Sequence, residues 1–444
     1  MNYPAVIKYL NSFANYEKNT NYSYKKDLAL TRIQDFLLLL GNPQDSLRVI
    51  HVAGTKGKGS TCAFTAYILR ESGFRVGLYT SPHLNDFRER IRILQPFIYN
   101  RSKEIGDFEG MISKGALLSL VAELKPVINK YNRDSKYGPL SFFEVYTALA
   151  FLYFKRKQVD FAVLETGLGG RLDATNAAKS LVCGITPISL EHVQKLGRTL
   201  KKIAAEKAGI IKHSGVIVVS ALQARPAQKV IYDRSKKFQA RLYAVGKEIK
   251  YARSKKGAII TGLRNNYKNL RLNLLGEHQL ANAALAVGLV EALSFYGFNL
   301  KAAAIRRGIY HTVWPGRCEL LQRNPLIILD GAQNLASAEV LKKAIRDKFT
   351  YRKLILVLGI SSDKDIRGIC KTLEPLADEI ILTSAATARA AAPQKLARYF
   401  NRKLYLTQSV KEAQLLAGSL SSKRDLILVT GSLFVVGEFR NAGR

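Results

Sequence analysis

"LRVIHVAGTKGKGSTCAFTAYILRESG", residues 47–73, sets an apolar run, a glycine-rich turn and a helical pattern in immediate succession. "LRVIHVAG" reads as a buried strand ending in a glycine turn, and "STCAFTAYILRESG" as the helix that follows, closed by Gly73. Between them, Gly54, Gly57 and Gly59 let backbone N–H groups turn inward at a helix N-terminus, where they attract a phosphate chain. Lys58 is placed to reach the terminal phosphates, and the hydroxyl of Ser60 or Thr61 to meet a bound Mg²⁺. The spacing differs from the general phosphate loop: two residues separate Gly54 from Gly57, and Gly59 stands between Lys58 and Ser60.

Outward from this stretch, strands and helices alternate up to about residue 310. "RVGLYTS", "VDFAVLET" and "SLVCGITPIS" are apolar runs of the kind found in a sheet covered on both faces, and "SFFEVYTALAFLYFKRK" is a long apolar helix. The pattern predicts an α/β fold whose N-terminal part is a doubly wound, mainly parallel sheet bearing the phosphate loop. Residues 240–275 alternate in short pieces and read as a small antiparallel sheet, and the polar stretch 96–138 as a pair of mobile loops. After "TVWPGR" a smaller, Rossmann-like α/β block opens, with strands "PLIILDGA", "KLILVLGIS", "EIILTSA", "KLYLT" and "DLILVTGS". The expected division is 1–312, a hinge at 313–316 around Trp314-Pro315-Gly316, and 317–444.

The 69 Lys and Arg against 34 Asp and Glu leave a net charge of +35, a surplus that ordinarily points to polyanionic partners. Here the basic residues are spread along the whole chain in short clusters, such as "KRK" at 155–157 and "RSKK" at 234–237. A solvated basic surface is therefore the favoured reading, and no nucleic-acid partner is expected. Cys62, Cys183, Cys318 and Cys370 lack the short spacing of a zinc site or a disulfide scaffold. No apolar run approaches the roughly eighteen residues of a membrane span, and the first residues lack a targeting pattern, so the expectation is a cytoplasmic protein with no membrane partner.

Further polar residues stand at the ends of the other strands, where open α/β sheets bind ligands. Ser81 lies in "YTSPHL". Glu165 opens the turn "ETGLGGRLDATN", and a carboxylate there is costly unless a cation such as Mg²⁺ meets it. Glu191 and His192 follow the third strand, Lys207 lies in a helical segment ending near Gly209, and the second block offers Arg317 and Asp330.

Taken in order, G-T-K-G-K-G-S, Y-T-S-P-H-L, S-F-F-E, E-T-G-L-G-G-R-L-D-A-T-N, E-H-x-x-x-L-G, E-K-A-G-I-I-K, G-x-H-Q-x-x-N-A, W-P-G-R, D-G-A-Q-N and T-G-S-L make the chain resemble the folylpolyglutamate synthase/dihydrofolate synthase family of the Mur-ligase superfamily, from about Tyr9 to about Gly437. The resemblance implies an ATP-dependent ligase that activates a folate or pteroate carboxylate as an acyl phosphate and joins it to L-glutamate. It implies ATP and Mg²⁺ as cofactors, with K⁺ as a further ion, and dihydropteroate or tetrahydrofolate as acceptor. A monomer is expected. By the same resemblance Gly57, Lys58, Gly59 and Ser60 hold the phosphates, while Asn282, Arg317 and Asp330 contact the nucleotide. Ser81, Glu165 and His192 would be the metal ligands, and Lys207 the lysine that the family carbamylates; Lys58, Lys207, His192 and Arg317 form the catalytic set. Acceptor contacts fall on Lys26, Asp27 and Leu28, on Ser141, Phe142, Phe143 and Glu144, and on Leu172, Asp173 and Ala174. Two positions depart from the family pattern: Glu191 stands where Asp is usual, and Gln333 where His is usual. The alternatives are chain extension without dihydrofolate synthesis, a Mur-type amino-acid ligase on another substrate, a nucleic-acid-stimulated ATPase, and a non-catalytic folate binder.

Overall fold

The computed structural model describes residues 2–17, 22–24, 28–96 and 108–442. Lys26 and Asp27 therefore lie outside the described residues. The first sheet has seven strands: β1 (Val49–Ala53), β2 (Val76–Tyr79), β3 (Ile91–Leu94), β4 (Phe161–Glu165), β5 (Ser180–Ile185), β6 (Ile217–Ser220) and β7 (Arg241–Ala244). Their spatial order is β3-β2-β4-β1-β5-β6-β7, and only β3 runs antiparallel to its neighbour. Strands β1 and β4 are buried from end to end, which is why they read as unbroken apolar runs.

Helices cover both faces. On one, Lys58–Glu71 packs with Glu277–Ala292 and Ala302–His311 around Phe64, Ile68, Val287 and Ile305. The apolar stretch Glu277–Tyr296 has the length and composition to cross a membrane, but 78% of its most apolar window is buried in this core. On the other face, Phe142–Arg156 packs with Leu30–Leu39 and Lys114–Asp134. Gly308 sits where the helix Ala302–His311 crosses Lys58–Glu71, and a Cβ there would overlap the backbone of Ile68.

Two expectations need correction. Within 240–275 only β8 (Lys250–Ser254), β9 (Gly257–Thr261) and β10 (Asn266–Leu270) form the antiparallel sheet, whereas β7 adds in parallel to β6. A half-covered edge strand alternates in the same way as a hairpin strand, so its pairing was not visible locally. The stretch 96–138 is not a pair of loops. Lys114–Asp134 is a helix of 21 residues, capped by the Ser113 hydroxyl. Leu117, Leu120, Val121, Leu124, Ile128 and Tyr131 make its buried stripe, diluted in sequence by a polar outer face. Residues 97–107 lie outside the described residues.

The last sheet contains β11 (Glu319–Arg323), β12 (Leu326–Leu329), β13 (Leu354–Leu358), β14 (Glu379–Leu382), β15 (Tyr405–Leu406) and β16 (Leu426–Thr430), in the order β11-β12-β16-β13-β14-β15. Only β11 is antiparallel, and helices on both faces give it a core of its own. The helix crossing at Gly308 sets a stability test. Gly308→Ala should lower unfolding free energy by about 1–3 kcal/mol through overpacking, read as a lower urea midpoint at unchanged slope.

Candidate active site

Because β2, β4, β1 and β5 are parallel neighbours, the loops after them leave from one edge of the sheet. Those loops carry Ser81, Glu165, the glycine turn 54–59 and His192. The turn is held on two sides. The N–H groups of Thr55 and Lys56 donate to the Pro187 carbonyl (3.1 and 3.4 Å), and the Ser189 N–H donates to the Thr55 hydroxyl (3.1 Å). Gly57 lies at φ +85°, and a Cβ there would overlap Asn282 Oδ1. Asn282 is itself held by donation to Gln279 Oε1 (3.0 Å), and Gln279 donates to the Ser60 hydroxyl (3.3 Å). The turn is thus a preformed cradle, with Lys58 opening its helix.

Glu165 is 5% exposed, at the very end of β4. Its carboxylate accepts the Ser81 N–H (3.2 Å), and among the described residues it has no ion pair. Burial raises its pKa, while Lys58, the Ser81 N–H, Arg317 and Arg90 act in the opposite sense. A buried carboxylate beside a serine, short of donors and facing a phosphate cradle, fits a hard divalent cation. Ser81, Glu165 and His192 are the residues that would hold it.

His192 stands at the tip of its loop with φ +51°, open to solvent at the edge of the cleft. Desolvation by the cleft wall lowers its pKa; Glu191 raises it, and Lys207, Lys58 and Lys364 lower it. A neutral imidazole is the form that ligates a metal. Lys207 is 4% exposed and donates to the Gly54 carbonyl (2.6 Å). Burial first, then Lys58, lowers its pKa to about 7. The structure therefore brings Gly57–Ser60, Ser81, Glu165, His192, Lys207 and Asn282 together.

The second half reaches the same edge. Arg317 is near enough for its charge to act on Glu165 and on Asp330. The Asp330 carboxylate accepts the N–H groups of Cys318 (2.8 Å) and Ala332 (2.9 Å). Lys56 donates to Asn334 Oδ1 (3.4 Å) across the cleft, and Trp314 lies against Gly59, where a Cβ would come within 2.9 Å of the indole.

On the acceptor side the picture changes. Phe142, expected among the acceptor contacts, is fully buried against Phe87 and Tyr146, with the Arg90 guanidinium over its ring. Ser141 and Glu144 cap the helix Phe142–Arg156 reciprocally, and Glu144 pairs with buried Arg32 (2.9 Å). Asp173 and Ala174 are 4% exposed, and the Asp173 carboxylate is taken up by Thr175 and Leu168. The structure thus gives Ser141, Glu144 and Asp173 hydrogen-bond partners that a motif does not display, and buries Phe142 and Ala174 beside them. Phe143, Leu172 and Leu28 remain partly exposed. Sequence reasoning gave no role to Lys56, Arg90 or Gln279, and gave Trp314 a place only in the hinge. Gln279, three residues before Asn282 on one helix face, was the one with a local signal.

The Mur ligase middle-domain family model matches residues 127–290, and the Mur ligase glutamate-ligase domain model matches 316–433. The dihydrofolate synthase/folylpolyglutamate synthase of Bacillus subtilis is 32% identical over 430 residues, covering 93% of this chain and 94% of that protein. The chain belongs to the folylpolyglutamate synthase/dihydrofolate synthase family. Mycobacterium tuberculosis folylpolyglutamate synthase complexed with ADP superposes on this family member with a TM-score of 0.85 at 32% identity, over 100% of this chain and 98% of that one. E. coli FolC in complex with DHPP and ADP gives 0.82 at 29% identity, over 97% and 96%.

Two consequences for nucleotide binding follow from the cradle. Gly57→Ala should abolish ADP binding while leaving the circular dichroism of the folded chain unchanged. Since Trp314 is the single tryptophan and touches the cradle, ADP should change intrinsic fluorescence in the unsubstituted chain and not in Gly57→Ala.

Proposed function

We propose that this chain joins L-glutamate to the carboxylate of a pteridine acceptor at the expense of ATP, taking both dihydropteroate and tetrahydrofolate. The observation that carries the reading is the convergence of Lys58, Glu165, His192 and Lys207 on one sheet edge with Arg317 facing them. Family membership over nearly the whole chain supports it.

A carboxylate resists attack by an amine until one of its oxygens becomes part of a leaving group. The acceptor carboxylate oxygen bonds to the γ-phosphorus as the bond to ADP breaks. The glutamate nitrogen then attacks the acyl carbon, phosphate departs, and the nitrogen gives up a proton. Phosphoryl transfer demands positioning and charge neutralisation rather than a protein nucleophile. Here Gly57–Ser60 hold the phosphates, and Lys58 and Arg317 offset their charge from opposite walls. Mg²⁺, when bound by Ser81, Glu165 and His192, supplies further charge neutralisation. Asn282 and Asp330 orient the nucleotide. Residues 313–316 act as the hinge between units 1–312 and 317–444, and closure about it excludes water from the acyl phosphate.

Lys207 enters as a carbamate. Its buried amine, with a pKa near 7, is largely neutral just above neutrality, and only the neutral amine adds CO₂. Carbamylation turns a buried cation into an anion beside the metal residues. Gln333, unlike a histidine, holds no titratable proton, so it binds by hydrogen bonding alone. The protein works as a monomer with small-molecule substrates in the cytoplasm, and K⁺ is a further ion to test.

Purified protein given ATP, Mg²⁺, bicarbonate and L-glutamate should add glutamate to dihydropteroate and, separately, to tetrahydrofolate, with one phosphate released per residue added, seen by mass. Addition to tetrahydrofolate alone would restrict the chain to extension, and addition to neither would overturn the reading. Lys207→Ala should bind ADP normally yet lose at least 100-fold in turnover, with partial rescue by a short carboxylic acid. Wild-type turnover should rise with pH through about 7 as the lysine loses its proton, and carbon-13 bicarbonate should give a carbamate resonance absent from Lys207→Ala.

A further inference from the structure

His51 lies in β1, three residues before the glycine turn, and is fully buried. Its Nε2 lies 2.8 Å from the Thr175 hydroxyl, which lies 2.5 Å from Asp173 Oδ1. Thr175 is fully buried too. The Asp173 carboxylate also accepts the N–H groups of Thr175 (3.1 Å) and Leu168 (2.9 Å). Burial pushes Asp173 up, but the Thr175 hydroxyl and the Leu168, Thr175 and Gly167 N–H groups all favour its ionised form.

These partners settle the protons. The Thr175 hydroxyl donates its single proton to Asp173 Oδ1, on a carboxylate that also accepts the Thr175 and Leu168 N–H groups. The Thr175 oxygen must then receive a proton from His51, which fixes the imidazole as the Nε2–H tautomer. His51 Nδ1 is buried and without a hydrogen-bond partner among the described residues. A bare acceptor left unpaired there costs less than a stranded N–H, so the second nitrogen agrees with the same tautomer. Burial, then the nearby Lys212 charge, lowers the His51 pKa to about 3, which leaves the ring neutral throughout the working range.

The relay ends on the turn that follows Glu165. Gly167 of that turn packs under the Phe143 ring, where a Cβ would come within 2.8 Å, and a Cβ on Gly169 would overlap the Tyr24 hydroxyl. Leu172 closes the same loop, partly exposed. We propose that His51 and Thr175 are positioning residues that lock the acceptor-side loop 166–174 in register with the strand carrying the phosphate cradle. The proposal rests on the ligase reading above and names residues that position its acceptor-side loop. Both are fully buried, so they act through Asp173.

The test is Thr175→Val, which keeps the shape and removes the hydroxyl, beside Thr175→Ser, which keeps the hydroxyl. Thr175→Val should raise the acceptor KM roughly 10-fold or more, the scale of one lost hydrogen bond to a buried charge, with the Kd for ADP within about 2-fold of wild type. Thr175→Ser should return the acceptor KM to within about 2-fold. His51→Leu should reproduce Thr175→Val, and His51→Gln, which keeps a donor near the Nε2 position, should lie between. An unchanged acceptor KM in Thr175→Val, or a parallel loss of ADP affinity, would overturn the proposal. Should Thr175→Val not fold, nitrogen-15 spectra of the wild-type chain decide: His51 must show an Nε2–H and a bare Nδ1, with no titration from roughly pH 5 to 9. An Nδ1–H tautomer would sink the relay. Glutamate addition by the wild-type chain is scored separately, so a failure of the ligase reading is distinguishable from a failure of the relay.

Discussion

Glu165 and Lys207 are buried at one sheet edge, and no ion pair joins them among the described residues. The carboxylate rests on one backbone N–H and the amine on one backbone carbonyl. Burying a charge without a partner costs several kcal/mol, and that cost pushes Glu165 up and Lys207 down toward their neutral forms. In the reading proposed above, a cation meets the carboxylate and CO₂ the amine. The rest of the site is arranged around that imbalance, with Lys58 acting electrostatically on Glu165, His192 and Lys207 alike.

The scaffold holds this edge open by locking backbone to backbone. The glycine turn hangs on the Pro187 carbonyl, on Asn282 through the space that Gly57 leaves, and on Trp314 through the space at Gly59. Those contacts come from the loop after β5, the helix Glu277–Ala292 and the segment joining the two sheets. The glycine turn, the loop after β5, the helix Glu277–Ala292 and the segment joining the two sheets therefore share walls, so a shift in one is felt by the others.

That a set of polar residues would meet at one sheet edge was legible in the sequence. The phosphate turn, Ser81, Glu165 and His192 each follow an apolar run, and parallel strands carry such ends to a common edge. The acceptor half was less so. Phe142 and Phe143 are neighbours of one type in a helix, and only the packing shows that Phe142 faces Phe87 and Tyr146 while Phe143 keeps an open side. Asp173 sits in the motif that Glu165 opens, and only the structure shows its oxygens accepting from Thr175 and Leu168. The helix Lys114–Asp134 was hidden by polar residues that belong to its outer face.

From the sequence alone came most of the strands and helices, the glycine turn and the family to which the motifs point, because these depend on short-range spacing and on the period of apolar residues. Which charges lie buried together was decided only in three dimensions. Lys207 meets the Gly54 carbonyl from 153 residues away, Asn282 fills the space over Gly57, and His51 reaches Thr175 across 124 residues. Desolvation and hydrogen-bond completion act through space, so the state of each ionisable group is a property of the folded chain and not of its neighbours in sequence.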